Sequence, residues 1–310
     1  MRALVTGIGG FVGGHLATLL RQEDAEVWGI DCRPLSGDVV HRNVVMRIGD
    51  LCDRAFTSRA LREAKPTHVF HLATTFDRSD VPSATESDSN VVAVSSMLDA
   101  LNECAGAATI MIASSSAVYG SAGRESIEEP TPLKPTTAYG ASKKAVEATA
   151  TRYRVERGMN VLVARTFNLL GPGMPRRLFA GSLATQIATA ERGGSREIKV
   201  GRLDSSRDYV DVRDAVKAYV SLATRPGLLE TVYNICAGVS HSSRELALAM
   251  LALARVPIKL KHDASRLQGG DVDYQRGSPA RLQREAGWKP SISFSASVCD
   301  TLDHERQQRG

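Results

Sequence analysis

The chain has 310 residues, 43% of them hydrophobic and 24% charged, a balance that excludes disordered and fibrous classes and leaves room for a sizeable core. No run of 18 or more apolar residues is free of charge, which argues against a membrane span, and the opening MRALVTGIGG lacks the layout of a signal peptide. The formal net charge of +5 reads either as an arginine-rich surface or as arginines that hold phosphates, and no Lys/Arg block with interleaved aromatics points to nucleic acid.

Alternating apolar runs and amphipathic stretches predict strands at 2–6, 26–30, 44–48, 67–72, 108–113 and 161–166. Helices are predicted between them at 11–21, 54–63, 87–103 and 137–157. This rhythm argues for an α/β protein: a Rossmann-type, doubly wound parallel sheet with helices on both faces. It breaks at the turn-rich Gly171-Pro172-Gly173-Met174-Pro175. Beyond that point come helices at 181–191, 213–223, 242–254 and 279–286, and short strands at 198–200 and 232–235. The division expected is a dinucleotide-binding domain over 1–168, with elements from 206–235 returning to it, and a smaller C-terminal substrate lobe over 169–310. Cys32, Cys52, Cys104, Cys236 and Cys299 are scattered, form no CxxC pair and imply a reducing, cytoplasmic setting.

Between the first strand and first helix, Gly7, Gly10 and Gly13 are spaced G-x-x-G-x-x-G. Gly7 permits a tight turn, Gly10 lets backbone N–H groups of Phe11 and Val12 approach a pyrophosphate, and Gly13 permits close helix–sheet packing. Asp31, at the end of the second strand, can accept from a ribose 2′-OH and so favours NAD(H). Arg33 could instead grip the 2′-phosphate of NADP(H), and both cofactors stay open. Asp50 and Leu51 fall where an adenine would lie, Leu72 and Ala73 near a ribose. His71 is as well explained by a hydrogen-bonded strand end as by chemistry.

Tyr139 and Lys143 stand four residues apart on a predicted helix, so phenol and ammonium share one face, an arrangement expected to stabilise phenolate. The serines of Ala113-Ser114-Ser115-Ser116 end the fifth strand, and ligands of open parallel sheets bind at the carboxyl ends of strands. Ser115 is therefore expected over the same crevice, polarising a substrate carbonyl.

The motifs TGIGGFVG, GDL, HLA, SSSAVYG, YGASK, RTFNLLGPG, RDYVDVRDAVKAY and YNICAG together resemble the extended short-chain dehydrogenase/reductases that modify nucleotide sugars. The resemblance spans almost the whole chain. It implies an NAD(P)(H) cofactor, a catalytic Ser115–Tyr139–Lys143 triad, a nucleotide-diphosphate sugar in the C-terminal lobe, and a homodimer through a four-helix bundle using helices 87–103 and 137–157. It also implies substrate contacts at Ser116, Asn168, Arg207 and Gln268, with Arg207 on the diphosphate; Asp211 and Asp214 are expected to order a turn instead.

Dehydratases and decarboxylases of this type carry a carboxylate just after the serine or threonine, where this chain has Ser116 and Ala117. That leaves one hydride and one proton exchanged at a single carbon. The resemblance is closest to 4-ketoreductases of NDP-4-keto-6-deoxyhexoses, GDP- or dTDP-linked. A UDP-hexose 4-epimerase that retains NAD is the alternative, and a non-catalytic dinucleotide sensor the third reading. Relatives often place an arginine on the diphosphate through Arg-Pro-x-Asp or Arg-x-Gly-Asp. Here the chain reads Gln268-Gly269-Gly270-Asp271, with Arg266 two residues earlier.

Overall fold

Short apolar runs without turn formers become the strands of one parallel sheet, and amphipathic segments become the helices that cover it. A computed structural model describes residues 1–34, 43–75, 84–104, 107–263 and 272–308. In chain order the first part holds β1 (Arg2–Thr6), α1 (Phe11–Gln22), β2 (Glu26–Asp31), β3 (Val44–Ile48), α2 (Arg54–Ala64) and β4 (His68–His71). It continues with α3 (Ala84–Cys104), β5 (Thr109–Ser115), α4 (Ala138–Arg157), β6 (Val161–Thr166) and β7 (Asn168–Leu170). The remainder comprises α5 (Phe179–Glu191), β8 (Glu197–Val200), β9 (Ser206–Asp211), α6 (Val212–Thr224) and β10 (Val232–Ile235). It closes with β11 (Ser240–Ser242), α7 (Ser243–Ala252), β12 (Lys259–His262), α8 (Ala280–Ala286) and α9 (Phe294–Gln307).

The main sheet has the order β10-β6-β5-β4-β1-β2-β3, with every pairing parallel. The winding direction reverses between β1 and β4, which opens a crevice at their carboxyl ends, the Rossmann-type arrangement. One face of the sheet packs against α1 and α6 through Leu16, Leu20, Ala215, Tyr219 and Leu222. The other packs against α2, α3 and α4 through Leu61, Met97, Leu101, Val146 and Ala150. A separate core forms from Leu183, Ile187, Ile198, Leu246, Met250, Val298 and Leu302, which join α5, α7, α9 and β8.

Differences from the sequence reading cluster after residue 166. β7, β9 and β11 form a second small sheet that no periodicity announced. β9 reads SRDYVD, in which the charged Asp208 is fully buried, so its pattern is not that of a strand with a wet and a dry face. The helix α9 was also not foreseen. Its signal is a Ser293 cap on the Ala296 N–H followed by Phe294, Val298 and Leu302 at four-residue spacing, diluted by serines and charges. α7 opens with a reciprocal capping box between Ser242 and Glu245. Among the described residues no helix is long and apolar enough to cross a membrane.

Candidate active site

The turn after β1 is held by backbone contacts and one carboxylate. Gly7 adopts φ +70°, and its N–H donates to the Ile30 carbonyl at 2.8 Å. A Cβ on Gly7 would lie 2.8 Å from the Ala73 nitrogen, so the β1 turn and the end of β4 nearly touch. A Cβ on Gly13 would fall on the Gly7 carbonyl oxygen and within 2.6 Å of the Ile8 Cα, which explains why α1 starts so close to the sheet. Gly10 caps α1 without a side chain, leaving the first-turn N–H groups at Phe11 and Val12 facing the crevice. Asp31 sits across this turn, accepting from the Gly9 N–H at 3.0 Å and the Arg33 N–H at 3.2 Å. Asp50 is exposed and Leu51 buried beside it, at the end of β3. A turn too tight for a Cβ at Gly7 or Gly13, with a carboxylate at the end of β2, fits a dinucleotide.

A cleft of about 1460 Å³ runs from this turn across the sheet to the C-terminal part. Ser115, Tyr139 and Lys143 line it together, as the spacing predicted. Tyr139 enters on the first turn of α4, which begins where the Thr137 hydroxyl caps the Gly140 N–H at 3.1 Å. Ser115 hydrogen-bonds Tyr139. The Lys143 Nζ donates to the Ala113 carbonyl at 3.0 Å and lies 5.7 Å from the centre of the Tyr139 ring.

The electrostatics correct one expectation. Burial pushes the Tyr139 phenol up from 10, opposed by the Ser115 hydrogen bond, the reverse of the shift expected from the cation four residues away. Burial likewise pulls the Lys143 ammonium down to about 8, with Glu147 opposing. The buried phenol is thus held in its proton-bearing form.

His71 takes the bland reading: its Nδ1 is 2.9 Å from the Thr6 hydroxyl, which also accepts from the Ala73 N–H, and burial lowers its pKa to about 3. Asp211 caps α6 and pairs with Arg213 and the Ser297 hydroxyl; Asp214 accepts from Ser291 and Ile292. Both order turns, as read from the sequence. The Ser116 hydroxyl lines the cleft yet already donates to Gln275 Oε1 at 3.0 Å. Asn168 is exposed on β7, and Arg207 on β9 donates to the Ser206 carbonyl at 2.9 Å; both line the cleft. Gln268, Arg266 and Asp271 lie outside the described residues.

Sequence reasoning missed most of the far wall. Arg176, Arg177, Lys199 and Arg202 join Arg207 there. Arg202 pairs with Asp204 and Asp273, and Arg176 with Glu305 at 2.9 Å. It also missed Asn90, whose amide donates to the Ser142 hydroxyl at 2.9 Å and brackets Thr75, tying the loop after β4 to α4. The Asn90–Ser142 and Arg176–Glu305 contacts join residues 52 or more positions apart and leave no local signature.

The comparisons with known proteins agree with this architecture. The family model for GDP-mannose 4,6 dehydratase matches residues 4–301. GDP-6-deoxy-D-mannose reductase of Pseudomonas aeruginosa is 32% identical over 306 residues, covering 96% of this chain and 94% of the relative. The solved structure of RMD from Pseudomonas aeruginosa complexed with NADPH superposes with a TM-score of 0.84 at 29% identity, covering 99% of this chain and 100% of that one. The UDP-glucose 4-epimerase of Thermus thermophilus in complex with NAD gives 0.87 at 28% identity, with 99% of each chain covered. The glycine turn, the parallel sheet and the match along nearly the full length lead to one assignment: the chain belongs to the GDP-mannose 4,6 dehydratase family of extended short-chain dehydrogenase/reductases, NAD(P)-dependent oxidoreductases.

Proposed function

We propose that the protein reduces the C4 ketone of an NDP-4-keto-6-deoxyhexose, GDP- or dTDP-linked, at the expense of NAD(P)H. One observation carries the reading. Among the described residues, the only carboxylates lining the cleft are Asp31 and Asp50, both at the end away from Tyr139. Dehydration at sugar C5 and C6 needs an acid/base pair beyond the tyrosine, and a ketone reduction does not. The similarity to GDP-6-deoxy-D-mannose reductase supports the same choice.

In this reading Gly7, Gly10, Phe11 and Val12 hold the pyrophosphate, Asp31 or Arg33 the adenosine ribose or its phosphate, and Asp50, Leu51, Leu72 and Ala73 the adenosine end. When bound, the dinucleotide supplies the hydride that reaches C4. Tyr139 donates its phenolic proton to the oxygen developing at C4, so carbon and oxygen each gain one hydrogen, and solvent reprotonates the phenol. Ser115 donates to the same oxygen and polarises it beforehand. Lys143 stabilises the transient phenolate and orients the nicotinamide ribose. A phenol kept protonated by burial suits a proton donor better than a base. Asn168 and Arg207 meet the sugar diphosphate, Arg207 through charge-assisted bonds, and Ser116 and Gln268 are the further substrate contacts.

The same reading divides the chain into a cofactor domain over 1–168, completed by elements from 206–235, and a substrate lobe over the rest. It pairs α3 and α4 with those of a second copy in a four-helix bundle; Val92 and Val155, exposed on these helices, fit such a face. Five unpaired cysteines suit a reducing cytoplasm.

The test is anaerobic mixing with NADH or NADPH and a panel of GDP- and dTDP-4-keto-6-deoxy sugars, following the nicotinamide absorbance and the product stereochemistry. Protein purified with stoichiometric NAD, interconverting UDP-hexoses without consuming reduced cofactor, would establish the epimerase instead.

A further inference from the structure

Three consecutive residues at the end of β5 are fastened to three residues one turn apart on α4. The Ala113 carbonyl accepts from Lys143, the Ser114 hydroxyl donates to Glu147 Oε1, and Ser115 bonds Tyr139. Tyr139, Lys143 and Glu147 are i, i+4 and i+8, so they form one stripe along the helix. Successive strand residues point to opposite faces, so Ser114 anchors the strand end from behind while Ser115 faces the cleft.

Behind this stripe lies Arg165 on β6. Its guanidinium forks onto both Glu147 oxygens at 2.7 to 3.1 Å and also donates to the Tyr119 hydroxyl and the Glu129 carbonyl. Lys143, Glu147 and Arg165 are 4%, 5% and 6% exposed. A buried carboxylate in full contact with Arg165 therefore lies one helical turn from a buried ammonium, close enough to hold its pKa up. An arginine does not give up its proton inside a protein, whereas a buried lysine does. Any loss of negative charge here falls on Lys143.

We propose that Glu147 is a positioning residue for the reaction: its carboxylate keeps the Lys143 ammonium charged inside the protein and, through Ser114, fixes the strand end that carries Ser115. The proposal rests on the reading of Lys143 as the working cation of the site. The other groups facing Lys143 leave this role to Glu147. From β4 comes His71, which burial keeps neutral; α3 sends the neutral Asn90 to the neighbouring Ser142; from α4 itself comes Tyr139, held protonated; from β5 no charged group. Arg165 on β6 and Glu129, which pairs with Arg281, stand behind Glu147.

The test is competitive acylation with acetic anhydride across a pH series, with peptide mass spectrometry reading the midpoint at which Lys143 becomes reactive. Glu147→Gln should lower that midpoint by at least ~1 pH unit. Arg165→Met, which removes the competing cation, should raise it, and Glu147→Asp, which retains the charge, should stay within ~0.5 unit of wild type. A purely structural ion pair would lower the melting temperature of the first two variants without moving the midpoint in opposite directions. An unmoved midpoint in Glu147→Gln, or shifts of the same sign, overturns the proposal. So does failure of both variants to fold, because the pair then serves the fold. The labelling needs no substrate, so it stands even if no keto sugar turns over and the functional reading itself fails.

Discussion

The two walls of the cleft are built on different principles. The sheet-side wall is backbone and buried polar groups, each already committed to a partner: Gly7 against Ala73, Lys143 on the Ala113 carbonyl, Glu147 between Ser114 and Arg165. The opposite wall is made of long side chains, Arg176, Arg177, Lys199, Arg202 and Arg207, carried on short strands and turns. A wall made of backbone contact tolerates little substitution, because no side chain can be trimmed to make room. A wall of flexible cations can be retuned one residue at a time. Relatives on this fold carry different activities, GDP-6-deoxy-D-mannose reductase and UDP-glucose 4-epimerase among them.

The contrast can be broken most sharply at Tyr139. Tyr139→Phe keeps the ring and the fold but removes the proton donor, and turnover should fall by ~10³-fold or more with dinucleotide binding retained. Retained turnover would dismiss the enzyme mechanism, and a protein that keeps binding and signals without turnover would be the sensor. Next comes acid stability of the sheet-side wall. His71 is held neutral with a folded pKa of about 3, below its value of about 6.5 in the unfolded chain. Between these values the unfolded state binds the extra proton, so stability is lost as pH falls from about 6.5 towards 3, by up to ~4 kcal/mol. Chemical denaturation of wild type and His71→Gln across that window checks the sign, and equal slopes would dismiss it.

On the opposite wall the expected effects are smaller and fall on affinity. Arg207→Ala should raise the sugar-nucleotide KM by ~10- to 100-fold with little change in kcat, since a charge-assisted contact is worth ~1.5–3 kcal/mol. A drop in kcat at unchanged KM would place Arg207 in the chemistry instead. Smallest is the cofactor choice. Asp31→Ala should move the NADPH-to-NADH preference by ~10-fold towards NADPH, by removing a charge that repels a 2′-phosphate. Isothermal titration with each dinucleotide reads it directly.

Much of the sheet-side wall was legible because its logic is local. The three glycines lie within seven residues, and Tyr139 and Lys143 within one helical turn, so spacing alone predicts their neighbourhood. The parallel sheet was legible for a similar reason: its strands are continuous apolar runs. Glu147–Arg165 and Ser116–Gln275 join positions 18 and 159 residues apart, and only the folded chain brings them together. The Tyr139 shift runs opposite to the expectation because it is set by burial, which spacing does not reveal. β9 stayed hidden because its buried Asp208 is satisfied by the N–H groups of Ala237, Gly238 and Gly277, distant partners that make a charged residue acceptable inside.

The packing of α1 against α6 also bears on how the chain is made. Leu16 and Leu20 find their cover on Ala215, Tyr219 and Leu222, and β10 closes the edge of the sheet later still. At ribosomal rates of about 5–20 residues per second, the apolar stripe of the first helix waits ~10–40 s for the segment that buries it. During synthesis the inner side of the first helix can pack at once on β1 and β2, while its outer side is without its final partner for most of the chain's length.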